Sequence, residues 1–399
     1  MADVEAIFTA VLTIGVGLFV IDLVPLQEPM VCPGDYHNKS TCPEVFFAQS
    51  FHVAREKFTS AATKAGAEVK RAVIASRDGV EYTLDTAFLR GKNSKRLLVH
   101  ISGSDGIGGF TGSAIQTKLL SEWNTSRGEG PSVLFVHALN PYGMANFRTT
   151  NENNVELHRN YLLKEEWNAL TTSHTSNTSY DSVMSPLFLP KAPRVIDRYT
   201  FFYHFGKVFL KQGLREFRRS LEGGQWHNPE GLFYGGREEQ RSLTALREVL
   251  TSYAASGVEK FVFLDVHTDS GSTGKETIIV SSVDDKTLAQ NIFKASVQLR
   301  GNGGTYEMAR GFIRPTDVLG NKTGSLVIEQ AFATTNYIFM VRAAILENAA
   351  SRHAEGTFVH ETMKQWMRDA YFPQTIHYKT TVLTKGIDTF NHAMDYLST

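Results

Sequence analysis

No excess of charge of either sign runs through this sequence: lysine plus arginine number 41, and aspartate plus glutamate also 41. That balance removes the electrostatic reason to expect a nucleic acid as partner. Heptads, fixed-period repeats and long low-complexity tracts are missing too, which leaves an ordinary globular chain of 399 residues. No Walker or Rossmann spacing surrounds Gly103, Gly106, Gly108 and Gly109, so these read as turn-formers rather than a phosphate cradle. Ser102 and Ser113 lack a G-x-S-x-G elbow, which argues against a serine hydrolase. Cysteine is scarce. Only Cys32 and Cys42 occur, close together near the N-terminus.

What is present begins with "AIFTAVLTIGVGLFVI", residues 6–21, uncharged and continuing past Asp22 into "LVPL". With that extension the run is long enough to span a bilayer, which takes roughly 20 residues. Asp3 and Glu5 stand where a cleaved signal peptide carries basic residues, and no A-x-A pattern follows. Residues 1–28 therefore read as a signal anchor or signal sequence. The rest would be lumenal, extracellular or secreted, with the membrane as a partner through this segment. A lone cysteine pair in such a compartment reads as a disulfide, Cys32–Cys42, within a short linker over 29–45. Sequons at Asn38, Asn124, Asn177 and Asn321 would make the chain a glycoprotein there.

From residue 46 to 399 the pattern is that of one α/β domain. Apolar runs at 97–101, 132–138 and 261–266 predict strands covered on both faces, and further strands are expected at 276–282 and 325–331. Helical patterns alternate with them near 46–65, 112–123, 205–221, 238–255, 286–299 and 337–351. The polar stretch 171–182 reads as a surface loop. Alternation of this kind predicts a layered domain with a mixed central β-sheet flanked by helices. In such sheets ligands bind at the carboxyl ends of strands. Those ends carry Ser102–Gly109, Asp265–Ser270 and Glu329–Gln330, and residues 140–161 follow another.

Six ordered blocks, "SGSDGIGGFTGSAIQ", "NPYG", "NENNVELHRNY", "GGQWHNPEGLFYGG", "LDVHT" and "IEQ", carry a resemblance. Over roughly residues 50–350 the chain resembles the zinc carboxypeptidase superfamily and its aspartoacylase-type relatives. Within it, the chain is similar to the branch known as domain of unknown function 2817. The resemblance implies a three-layer phosphorylase/hydrolase-like fold and a zinc-activated water. It matches His267 to a metal ligand, Glu329 to the general base, and Arg159 to the arginine that binds a substrate carboxylate. Arg148 matches the oxyanion arginine, with His158 and Asn160 beside Arg159 in the substrate site. The implied ligand is a peptide or small molecule bearing a carboxylate.

Two departures change the expectation. Asp105 stands where the family has a histidine ligand, and Gly108 where it has a glutamate ligand. Two protein ligands hold zinc far more weakly than three, so the expected protein is a pseudoenzyme or a very weak hydrolase. Without a metal, Glu329 is expected as a buried acid paired with an arginine. The alternative is an active metal-dependent hydrolase of peptides or N-acyl amino acids. Its ligand set would be rearranged, with Asp265, Asp269 or His158 joining Asp105 and His267.

Overall fold

A computed structural model describes residues 42–124, 130–172, 178–301 and 309–399. Eight strands form one sheet in the order β1-β2-β4-β3-β5-β8-β6-β7. They are β1 (Glu68–Arg77), β2 (Val80–Leu89), β3 (Asn93–Ser102), β4 (Pro131–His137), β5 (Lys260–Asp269), β6 (Glu276–Val280), β7 (Ser296–Leu299) and β8 (Leu326–Ala333). The middle of the sheet, β4-β3-β5-β8, is parallel, while β1, β2 and the β6–β8 pairing are antiparallel. The expected mixed sheet is therefore present. Its flanking hairpin β1–β2 turns on Asp78 and Gly79, both at positive φ, the geometry of a tight two-residue turn.

Alternation along each strand sends side chains to two covered faces. On one face Leu98, Phe135, Val262, Leu264 and Ile328 pack beneath the helices Phe51–Lys64, Gly109–Ser121 and Ile376–Ser398. On the other, Leu97, Val99, Ile101, Phe261 and Phe263 meet Leu243, Leu246 and Leu250 of the helix Arg241–Ala254. A third apolar cluster joins the helices Thr178–Met184, Asp197–Glu222, Tyr337–His353 and Phe358–Tyr371. The parity of β5 positions the site. Phe261 and Phe263 feed the second core, and the same face continues as Asp265 and His267. A core-facing row turns polar at its carboxyl end.

Several boundaries differ from expectation. The first helix starts at Phe51, where Ser50 accepts from the Val53 N–H and caps it. Residues 283–292 are helical, but 296–299 form edge strand β7, because Phe293 leaves the helix in an extended conformation. Within the expected loop 171–182, the helix Thr178–Met184 begins and Tyr180 is buried. The expectation of a membrane anchor is corrected: no helix among the described residues is long and apolar enough to cross a membrane. The hydrophobic run 6–21 lies outside the described residues, as do Cys32, Asn38 and Asn177. Cys42, the first described residue, is buried.

Candidate functional site

The loop after β3 owes its path to its glycines. Gly103 and Gly106 have φ of 72° and 66°, in the left-handed region. A Cβ on Gly106 would lie 2.2 Å from the Arg148 carbonyl oxygen, which accepts the Ile107 N–H at 2.9 Å. The helix Gly109–Ser121 begins at once after this turn.

Parallel register then sets the central residues. Asp265 of β5 pairs with Glu329 of β8, so Asp265, His267 and Glu329 project from one face. All three are buried. Asp265 Oδ1 accepts from the Ser104 hydroxyl at 2.7 Å, and Oδ2 lies 3.1 Å from His158 Nε2. Burial opposes the Asp265 charge. The His158 hydrogen bond and charge, His267 and Ser104 together still hold its carboxyl below the usual aspartate value. His267 Nε2 lies 3.3 Å from Glu329 Oε2, and its Nδ1 lies 3.2 Å from the Thr268 carbonyl. The other Glu329 oxygen accepts from Arg300, an ion pair across the sheet. The His158 and His267 rings meet edge to face, 5.6 Å between centroids. Two histidine–carboxylate pairs thus lie side by side.

Asp105 reaches this floor without joining either pair. Its Oδ2 accepts from the Thr268 N–H at 3.1 Å and from the Thr268 hydroxyl at 3.0 Å. Burial pushes its carboxyl above the usual aspartate value, against the opposing pull of His267 and the Thr268 bonds. The same carboxylate lies over Gly108: a Cβ there would fall 2.0 Å from Asp105 Oδ2. A side chain at position 108 and the Asp105 carboxylate would compete for one space.

The remaining expected site residues are engaged elsewhere. Arg159 is fully buried, donating from Nη1 to the His158 carbonyl (3.1 Å) and from Nη2 to the Glu222 carbonyl (2.7 Å). Asn160 Nδ2 donates to the carbonyls of Gly235 and Glu238, both at 2.8 Å, and its Oδ1 accepts the Gln240 N–H. These bonds bind the segment 157–160 to the loop 235–240. Arg148 turns toward the helix Tyr337–His353, bonding Glu347, Ser351 (2.9 Å) and Asn154 (3.0 Å) rather than His267 or Glu329. Of the expected set, Asp105, His158, His267 and Glu329 come together, with Asp265. Sequence reasoning missed Arg300, Ser104 and Thr268. The demand of a buried glutamate for a cation was a signal that some arginine would come, with nothing to say which.

Zinc is the metal that the expected family implies, and the donor set does not fit it. Among the described residues no group of three or more His, Cys, Asp or Glu side chains is arranged to hold a metal ion. The rearranged set with Asp265, Asp269 or His158 is likewise not assembled. Asp105 spends its Oδ2 on Thr268 and keeps only Oδ1, buried without a hydrogen-bond partner among the described residues, while Gly108 supplies no donor.

A model of the family described as "Protein of unknown function (DUF2817)" matches residues 47–385. No curated protein matches the chain. Among solved structures, bovine thrombin-activatable fibrinolysis inhibitor, in complex with tick carboxypeptidase inhibitor, is similar at 11% identity and a TM-score of 0.46. That alignment covers 88% of this chain and 98% of the other. An aspartoacylase family protein from Mesorhizobium loti aligns at 13% identity and a TM-score of 0.34, covering 73% and 68%. At those scores the likenesses add nothing to the architecture described above.

Proposed function

The chain belongs to that family of proteins of unknown function, and on this premise we propose that it is a metallocarboxypeptidase-like protein whose zinc site has been dismantled. It acts as a pseudoenzyme or a very weak hydrolase, and its site serves ligand binding. The observation that carries the reading is the Asp105 carboxylate. It is held on Thr268 and fills the space over Gly108 where a third ligand's side chain would begin. A catalytic zinc needs three protein ligands and one open position for water. Here one ligand position has no side chain and a second has turned to hydrogen-bond its neighbour. Glu329 and His267 face each other, each meeting the other's need for a partner.

The ligand class implied by the resemblance, a carboxylate-bearing peptide or small molecule, needs exposed arginine donors. Arg159 and Arg148 spend theirs on backbone carbonyls and on Glu347, Ser351 and Asn154. A carboxylate ligand would have to displace some of those bonds, so its affinity would be modest.

Elemental mass spectrometry of the purified protein, dialysed without chelator and then supplied with zinc, tests the reading. The expected result is well under one metal per chain. A stoichiometric metal that disappears in Asp105→Ala and in His267→Ala would overturn it and return the chain to the metallohydrolases.

A further inference from the structure

We infer that Arg300 is the resident cation of this site, a positioning residue whose guanidinium neutralises Glu329 and thereby sets the carboxylate against His267. The inference rests on the reading that no metal supplies that charge.

Glu329 lies on β8, an interior strand with β5 on one side and β6 on the other, and only 6% of it is exposed. A carboxylate so placed is costly unless a cation or several donors meet it. Asp265 is met by Ser104 and His158, and Asp105 by Thr268. Glu329 alone among the three receives a permanently charged partner.

Nothing in its position along the chain marks Arg300 for this role. It comes directly after β7, the edge of the sheet, and its side chain crosses β6 to reach β8. Two features hold it in that reach. Its N–H donates to the Val280 carbonyl at 2.8 Å, fixing its backbone to β6. Its guanidinium lies 3.8 Å from the centroid of Phe312, a ring that also stands 6.0 Å from the His158 ring and 5.4 Å from the Arg159 guanidinium. Phe312 is a floor shared by both arginines and His158. A planar guanidinium covers such a ring more fully than a lysine ammonium does, although both cations are attracted to its face. The ion pair fixes one Glu329 oxygen and leaves the other for His267 Nε2. A buried carboxylate of this kind needs a cation, and none of the histidines around it is permanently charged. Here an arginine from the sheet's edge supplies that charge, and it cannot dissociate.

The test is a double-mutant cycle on the full purified chain, read by thermal melting: Arg300→Gln, Glu329→Gln and the two combined. Arg300→Gln should lower the midpoint by roughly 5 °C or more, since removing one partner of a buried pair is strongly destabilising. Adding Glu329→Gln should recover at least half of that loss, because the uncompensated charge goes with it. A combined loss equal to the sum of the single losses would overturn the inference, leaving Arg300 as packing only. Arg300→Lys and Arg300→Met are measured alongside, and decide alone if Arg300→Gln does not fold: rescue by lysine well above methionine supports the charge role, and equality overturns it. The cycle and the metal assay fail separately. Stoichiometric zinc in the wild type would remove the reading above, yet the Arg300–Glu329 coupling would still be measured. Absent coupling in a metal-free protein would remove only this inference.

Discussion

Two pairs of buried histidines sit on opposite faces of the same sheet, and their surroundings differ in one respect. His100 and His137 belong to the face beneath the helix Gly109–Ser121, and both are fully buried. Gln116 of that helix donates to the His100 and Val136 carbonyls at 3.0 and 3.1 Å, and Ser113 meets His137 Nε2 at 2.9 Å. His137 also stacks on Phe58, 4.5 Å between centroids. No carboxylate bonds either ring among the described residues. Burial therefore dominates and takes His100 down to about 3 and His137 down to about 4, so both stay neutral. On the other face, His158 and His267 each meet a buried carboxylate. The first pair is a polar seam inside a core. The second brings histidines and carboxylates into direct contact at the ends of the strands, and that arrangement makes it the candidate site.

Asp265→Ala removes the partner of both His158 and Ser104 and should cost about 3–5 kcal/mol in urea unfolding. A loss below about 1 kcal/mol would mean that the site cluster is no more demanding than a surface pair.

On the core side, pH is the lever. His100 and His137 are depressed when folded and titrate near 6.5 when unfolded. The unfolded chain therefore takes up protons that the folded one refuses. Stability present at neutral pH is lost as pH falls below 6.5 toward the folded values. Between pH 7 and 5 the loss should be roughly 2 kcal/mol for each histidine. It should shrink by that amount in His137→Phe, with unfolding midpoints measured at both pH values. A pH-independent midpoint over this range would show that these rings are not held neutral by burial.

The smallest effect concerns the loop. Gly108→Ala meets the Asp105 carboxylate and should cost about 1–2 kcal/mol. In an Asp105→Ala background most of that cost should vanish, which is a direct measure of coupling between the two positions. Additive losses would separate them.

Each feature was legible in the sequence to the extent that local chemistry dictates it. The interior strands showed as apolar runs because a strand covered on both faces has no polar alternation to hide it. The hairpin β1–β2 did not show, since its first strand is mostly exposed along "EVKRAVIASR". The helix Phe358–Tyr371 went unread although His360, Met363, Met367 and Ala370 bury one face at helical spacing. In the site, the motif blocks brought Asp105, His158, His267 and Glu329 to notice. They also brought Arg148, Arg159 and Asn160, whose side chains the fold turns to other tasks.

By itself the sequence determined which residue types stand at the ends of the strands, that Gly108 offers no ligand, and that a layered α/β domain with a mixed sheet would form. Those depend on periodicity, on the conformational range of glycine, and on the donors that a side chain carries. Only the tertiary structure decided that the Asp105 carboxylate lies over Gly108, that Arg159 points at carbonyls, and that the cation for Glu329 comes from Arg300. Glu329 and Arg300 are 29 residues apart, and the strand β7 that Arg300 extends does not neighbour β8. Contacts of that kind depend on strand order and on the direction in which long side chains leave the sheet, neither of which is written in any local stretch of sequence.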